Sequence, residues 1–164
     1  MSALPVGAVS GGQLAFDAST STVCVTSDNP DALVLYHLPD RSLVRIPVAK
    51  PVRDVAVDPV RGRAYLTCPH DNAVITVDLH THDTDTIAVG NTPGGVAVDA
   101  DRYTVYVANR LDNTLTALDT RTGTGVTVPA GPGAQGVAVD PVSHTVVVAN
   151  TTAGTATLIQ RRSA

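Results

Sequence analysis

Glutamate is missing altogether from this 164-residue chain: all fifteen acidic residues are Asp, and Lys50 is the only lysine. Tryptophan is absent too, and Phe16 is the single phenylalanine. With Glu and Lys gone, strong helix formers are scarce, while Val, Thr, Gly and Pro, which favour strands and turns, abound. These absences exclude a helical fold and predict an all-β one. No run of basic residues occurs and the formal net charge is -4, so the electrostatic footprint for nucleic acid or an anionic membrane is lacking. No apolar run approaches the roughly 18 residues a membrane span needs, and "MSALPVGAVSGG" lacks the basic and apolar regions of a signal peptide. A cytoplasmic protein is expected, with residues 1–164 as one domain. Cysteine is nearly absent as well: Cys24 and Cys68 fall on different repeats and are expected to be free thiols.

What is present is a repeat. "LAFD" ends at Asp17 and "VAVD" ends at Asp58, Asp99 and Asp140, each 41 residues after the last. Seven residues beyond each Asp begins a second apolar segment: "CVTS", "YLTC", "YVAN" and "VVAN", starting at Cys24, Tyr65, Tyr106 and Val147. A third segment follows in every copy ("ALVLYHL", "AVITVDL", "TLTALDT", "TATLIQR"), and a short fourth in three of them ("RIPVA", "TIAVG", "VTVPA"). Turn formers separate the segments, as in "DPVRGR" at 58–63, so each unit reads as successive antiparallel hairpins. Segments such as "VAVD" and "YVAN" are apolar or small on both faces, which requires the sheets to stack face to face. Small four-stranded sheets at a 41-residue period predict the blades of a β-propeller, with repeats at about 8–48, 49–89, 90–130 and 131–164. The aspartates at 17, 58, 99 and 140 recur in every unit and are therefore expected to be turn residues.

"YVAN" at 106–109, preceded by "GVAVD" and followed by "DNTLTALDT", resembles the repeat of YVTN-type propellers and their NHL-like relatives. The resemblance spans the whole chain, is strongest in repeats 3 and 4, and is weakest in repeat 1. It implies the propeller fold and leaves the activity open, because such propellers include scaffolds, surface proteins and some enzymes. Some of those relatives resemble metal-dependent lyases that use a His and Glu pair; a chain without Glu cannot carry that mechanism.

The last repeat stops after its third segment, and "LPVG" at 4–7, which resembles "IPVA" and "IAVG", is expected to close it. Four units with little bulk in their strands suit gently rotated blades, so two chains meeting head to tail in an eight-bladed homodimer are expected, with a four-bladed monomeric ring as the alternative.

In such a ring, the loops from fourth to first strand and from second to third strand share one face, around the channel mouth. Repeat 2 concentrates its polar residues there: Lys50, Arg53, Asp54, Cys68, His70 and Asp71, where repeats 3 and 4 mostly carry small or neutral residues apart from Arg110. Arg53, Asp54, His70, Asp71, Arg110 and Gln135 are the expected ligand-binding set. Arg53 would hold an anion, and His70 or Asp54 would be the catalytic candidates if the protein is an enzyme. Two readings follow: a module binding a small molecule or protein partner, or a cofactor-independent lyase, isomerase or cyclase. Replacing Arg53, Asp54 and His70 by sibling residues (Arg53→Gln, Asp54→Gly, His70→Thr) is expected to leave melting nearly unchanged. His80, His82 and Asp83, in "DLHTHDTD", lie on the opposite face and read as a solvated hairpin, so no metal is expected. GxSxG, GxxxxGK[ST] and CxxC are all missing, and no cofactor is expected.

Overall fold

The computed structural model describes residues 12–160. Their strands form four antiparallel sheets, each a meander in sequence order. The first sheet holds β1 (Leu14–Asp17), β2 (Thr22–Asp28), β3 (Asp31–His37) and β4 (Leu43–Pro47). The second holds β5 (Val55–Asp58), β6 (Arg63–Cys68), β7 (Ala73–Asp78) and β8 (Thr84–Ala88). The third holds β9 (Pro93–Asp99), β10 (Thr104–Asn109), β11 (Thr114–Asp119) and β12 (Gly125–Pro129). The fourth, with β13 (Ala134–Val139), β14 (Val146–Asn150) and β15 (Thr155–Ile159), is three-stranded among the described residues. The closing strand expected at 4–7 lies outside them. Among the described residues no helix is long and apolar enough to cross a membrane.

Turn chemistry sets the period. The first hairpin of each sheet turns through a left-handed residue at the same place: Ser21, Gly62, Tyr103 and His144, at φ 55°, 61°, 54° and 56°. The aspartate before each turn accepts its backbone N–H groups. Asp17 receives Ser19 N (2.9 Å), Asp58 receives Val60 N (3.0 Å), Asp99 receives Arg102 N (3.3 Å) and Asp140 receives Val142 N (3.1 Å). These aspartates are turn residues, held by an interaction that Asp makes readily.

The sheets stack. Three buried apolar clusters join consecutive sheets: Cys24, Leu33 and Leu35 against Leu66 and Val77; Tyr65 and Val74 against Val105 and Leu118; Tyr106 and Leu115 against Val146 and Val148. Strands β1, β5, β9 and β13 run side by side along the inner edge of the stack. Polar links tie the far ends of the sheets together: Arg61 bridges Asp58 Oδ2 (2.7 Å) and Ala100 O (2.8 Å), and His144 Nδ1 meets Asp99 Oδ2 (2.8 Å). Cys24 and Cys68 are free and buried, and burial pushes their thiols up to about 12 and about 11, which leaves them unreactive near neutral pH.

"YVAN" owes its asparagine to packing. Asn109 Nδ2 donates to Thr114 Oγ1 (3.0 Å) and Thr116 Oγ1 (2.8 Å), and Asn150 does the same to Thr155 (3.2 Å) and Thr157 (2.9 Å). Each amide rests on a glycine, Gly90 or Gly131, that leaves room for it. Repeat 2 carries Ala49, Cys68, Ala73 and Ile75 at the corresponding places, an apolar replacement of the whole set.

Candidate functional site

The connection from β4 to β5 delivers Arg53 and Asp54 to the start of the inner strand. Arg53 N donates to Thr67 O (2.9 Å) and Thr67 N donates to Asp54 O (3.1 Å), which pins this segment to the end of β6. Thr67 does more. Its hydroxyl accepts Asp54 N (3.1 Å) and donates to Gly94 O (2.7 Å), reaching the third sheet. The Asp54 carboxylate makes a parallel bridge, with Oδ1 accepting Val55 N (2.9 Å) and Oδ2 accepting Val96 N (3.0 Å). Asp54 is therefore half-buried between two sheets, and Asp54→Gly would strip acceptors from two backbone donors, so a lowered melting temperature is expected of it in place of an unchanged one.

Arg53, Asp54 and Gln135 do meet. With Gln13, Gly94 and Gly136 they line a cavity of about 230 Å³ to which the starts of all four inner strands contribute. Its floor is backbone for a physical reason. A Cβ on Gly94 would stand 2.6 Å from Gln135 O, so only glycine lets the third and fourth inner strands lie this close. Beside it is a second hollow of about 370 Å³, lined by Gln13, Asp28, Arg53 and His70 among others. Arg53 borders both, exposed, and makes no ion pair with a carboxylate among the described residues.

The remaining sequence candidates separate from this group. Asp71 pairs with Lys50 at 3.0 Å, and both line a different cavity of about 400 Å³ that also takes in Cys68, Ile75 and Thr86. Arg110 is exposed in its turn, where its backbone N–H donates to Thr92 O (3.1 Å), and it borders neither of the Arg53 hollows. His80 N donates to Asp78 Oδ1 (2.9 Å), and His82 takes the left-handed position of that hairpin at φ 66°. Among the described residues, no group of three or more His, Cys, Asp or Glu is placed to hold a metal ion. Sequence reasoning passed over Gln13, Asp28 and Thr67. Register would have found Gln13, since 13 lies 41 residues before Asp54.

Burial pushes the Asp54 carboxyl above its usual 3.8, against the pull of the Val96 and Val55 N–H groups and the Arg53 charge. A raised folded-state value means the fold binds the proton more tightly than the unfolded chain does. Asp54 therefore subtracts stability as pH rises from 3.8 through its folded-state value. Asp54→Asn is expected to remove that falling component, so its stability should fall less, or rise more, than the parent's across this pH interval. Urea midpoints measured at a series of pH values check the slope, whatever the absolute cost of the amide.

No protein-family model matches the chain, and no curated protein does. Solved structures do. Hydrazine synthase of Kuenenia stuttgartiensis matches with a TM-score of 0.79 at 18% identity, over 96% of this chain and 52% of that one. A functionally unknown protein from Desulfotomaculum acetoxidans DSM 771 matches at 0.77 and 16% identity, over 94% and 56%. A chain of a nidogen/laminin complex matches at 0.73 and 14% identity, over 93% and 65%. The fold is β-propeller-like. Each sheet is thus a blade, and the Arg53 cavity lies along the blades' inner strands. The chain spans about half to two thirds of the length of these three chains. At these identities the likeness concerns the fold alone.

Proposed function

We propose that this chain is a YVTN- or NHL-like propeller module that binds a small anionic molecule at the inner-strand cavity, with Arg53 as the anion-holding residue. One observation carries the reading: residues from all four blades converge on a single hollow whose only cation, among the described residues, is Arg53. The guanidinium offers paired donors suited to a carboxylate. The amides of Gln13 and Gln135 and the glycine backbone supply neutral hydrogen bonds around it. A cofactor-independent lyase, isomerase or cyclase would need a base at the same place. His70 is exposed in a turn, and the Asp54 carboxylate already holds two backbone N–H groups, which weighs toward binding.

The test uses acetate, lactate and inorganic phosphate as probes, followed by NMR shifts on the parent and on Arg53→Gln, the residue repeat 4 carries at the matching place. Binding of at least one probe to the parent, weakened about 10- to 100-fold in the variant with melting unchanged, is expected from losing a charged hydrogen bond. Equal binding by both proteins, or no binding of any probe to the parent, would overturn the proposal.

A further inference from the structure

The cavity of about 400 Å³ bordered by the Lys50–Asp71 pair shares no lining residue with the Arg53 hollows and is larger than either. It opens at the junction of blades 1 and 2. Its wall is apolar: Val48 and Ala49 after β4, Cys68 at the end of β6, Ala73 and Ile75 on β7, and Ala88 on β8. The sibling blade shows that the repeat does not require this. In blade 3 the counterparts of Cys68, Ile75 and Thr86 are Asn109, Thr116 and Thr127, which bond one another in a chain across the sheet, at 2.8 Å and 3.2 Å. In blade 2 a thiol and a hydrocarbon replace the first two, so Thr86 lacks the threonine hydroxyl that Thr127 meets. The charges are equally particular to this repeat. Lys50 is the only lysine, and repeats 3 and 4 carry Asn91 and Pro132 at its place. Asp71 has a counterpart in Asp112, but Asp112 Oδ2 accepts the backbone N–H of Asn91 (2.7 Å), whereas Asp71 Oδ1 accepts Lys50 Nζ (3.0 Å). Both partners keep solvent access, 53% for Lys50 and 35% for Asp71, so opening the pair costs the fold little.

We infer that this cavity binds a free α-amino acid with an aliphatic side chain: the side chain enters the apolar hollow, the carboxylate meets Lys50 and the ammonium meets Asp71. Two observations select this class. The mouth carries one positive and one negative group 3.0 Å apart, which complements a ligand bearing both charges on a single carbon. A simple anion would meet Asp71 as a repulsive neighbour, and a simple cation would meet Lys50. Behind the charges the wall is apolar, and the volume falls within the roughly 300 to 1,000 Å³ of small-ligand sites. Binding exchanges one exposed ion pair for two charged contacts to the ligand, while the aliphatic side chain leaves water for the apolar wall. The inference does not depend on what the Arg53 cavity binds.

NMR titration of the whole chain with L-leucine tests it, beside two comparison ligands. Glycine keeps both charges without the side chain, and isocaproate keeps the side chain and carboxylate without the ammonium. Leucine is expected to shift the amides of Ala49, Cys68 and Ala73, while those of Gly94 and Gln135 at the Arg53 cavity stay in place. Glycine should bind here about 10- to 100-fold more weakly, the worth of burying a leucine-sized side chain. Isocaproate should bind here about 10-fold more weakly for want of one charged contact. Lys50→Asn, the residue repeat 3 carries, and Asp71→Asn should each weaken leucine about 10-fold with melting unchanged, as both are surface positions. Arg53→Gln should bind leucine as the parent does. No shift at this cavity with leucine, glycine or isocaproate binding there as tightly as leucine, or leucine binding indifferent to both Lys50→Asn and Asp71→Asn would overturn the inference.

Discussion

Gly90→Ala is expected to destabilise the protein by about 2 kcal/mol, within the range for overpacking a filled interior. The added Cβ would stand 2.5 Å from Asn109 Cγ, and that amide cannot retreat without breaking its bonds to Thr114 and Thr116. Repeat 2 supplies the compensating change. There an alanine, Ala49, sits beside Cys68, with Ala73 and Ile75 where the threonines would be. Adding Asn109→Cys, Thr114→Ala and Thr116→Ile to Gly90→Ala is therefore expected to recover most of the loss, although each change alone costs stability. The quantity to measure is the coupling in a multiple-mutant cycle by urea denaturation, expected at about 1 to 3 kcal/mol. If the single change is tolerated, or the combined set costs the sum of its parts, glycine and asparagine are not a matched pair.

Asp58→Ala is expected to cost about 3 kcal/mol, or roughly 6 to 12 °C in Tm for a chain of this size. Asp58 is fully buried and accepts Val60 N, Arg61 N (3.1 Å) and Arg61 Nη1 (2.7 Å). Its loss orphans two backbone donors and frees the guanidinium that spans to Ala100 O of the next blade and stacks 3.7 Å from the Tyr103 ring centre. Arg61 keeps some solvent access, so the cost falls at the lower end of that for breaking a buried pair. Asp140, at the same turn position in repeat 4, is exposed, and among the described residues its carboxylate bonds within its own turn, to Val142 N, Ser143 N and the Ser143 hydroxyl. Asp140→Ala should shift the melting curve far less. Equal shifts in differential scanning calorimetry would show that burial between blades adds nothing to the turn.

The repeat made the strands and turns legible because both are local. Apolar segments at a fixed spacing need only their own neighbours to pair, and an Asp seven residues before the next apolar segment needs only its own turn. Arg53, Asp54 and His70 stood out because repeats are each other's control: a residue required by the blade recurs, and these do not. What they do in space was not local. Whether Asp54 faces solvent or spans to Val96 N depends on how close the second and third inner strands lie, which the packing of their two sheets sets. The stacking of the sheets likewise brings Gln13, from a different repeat, to the cavity, while Asp71 pairs with Lys50 on another one. Sequence by itself determined the all-β repeat, its period and its turn residues, since these follow from short-range pairing and composition. Which polar residues share a cavity was decided only by the stacking of blades, because packing joins residues 41 or more positions apart that no local pattern connects.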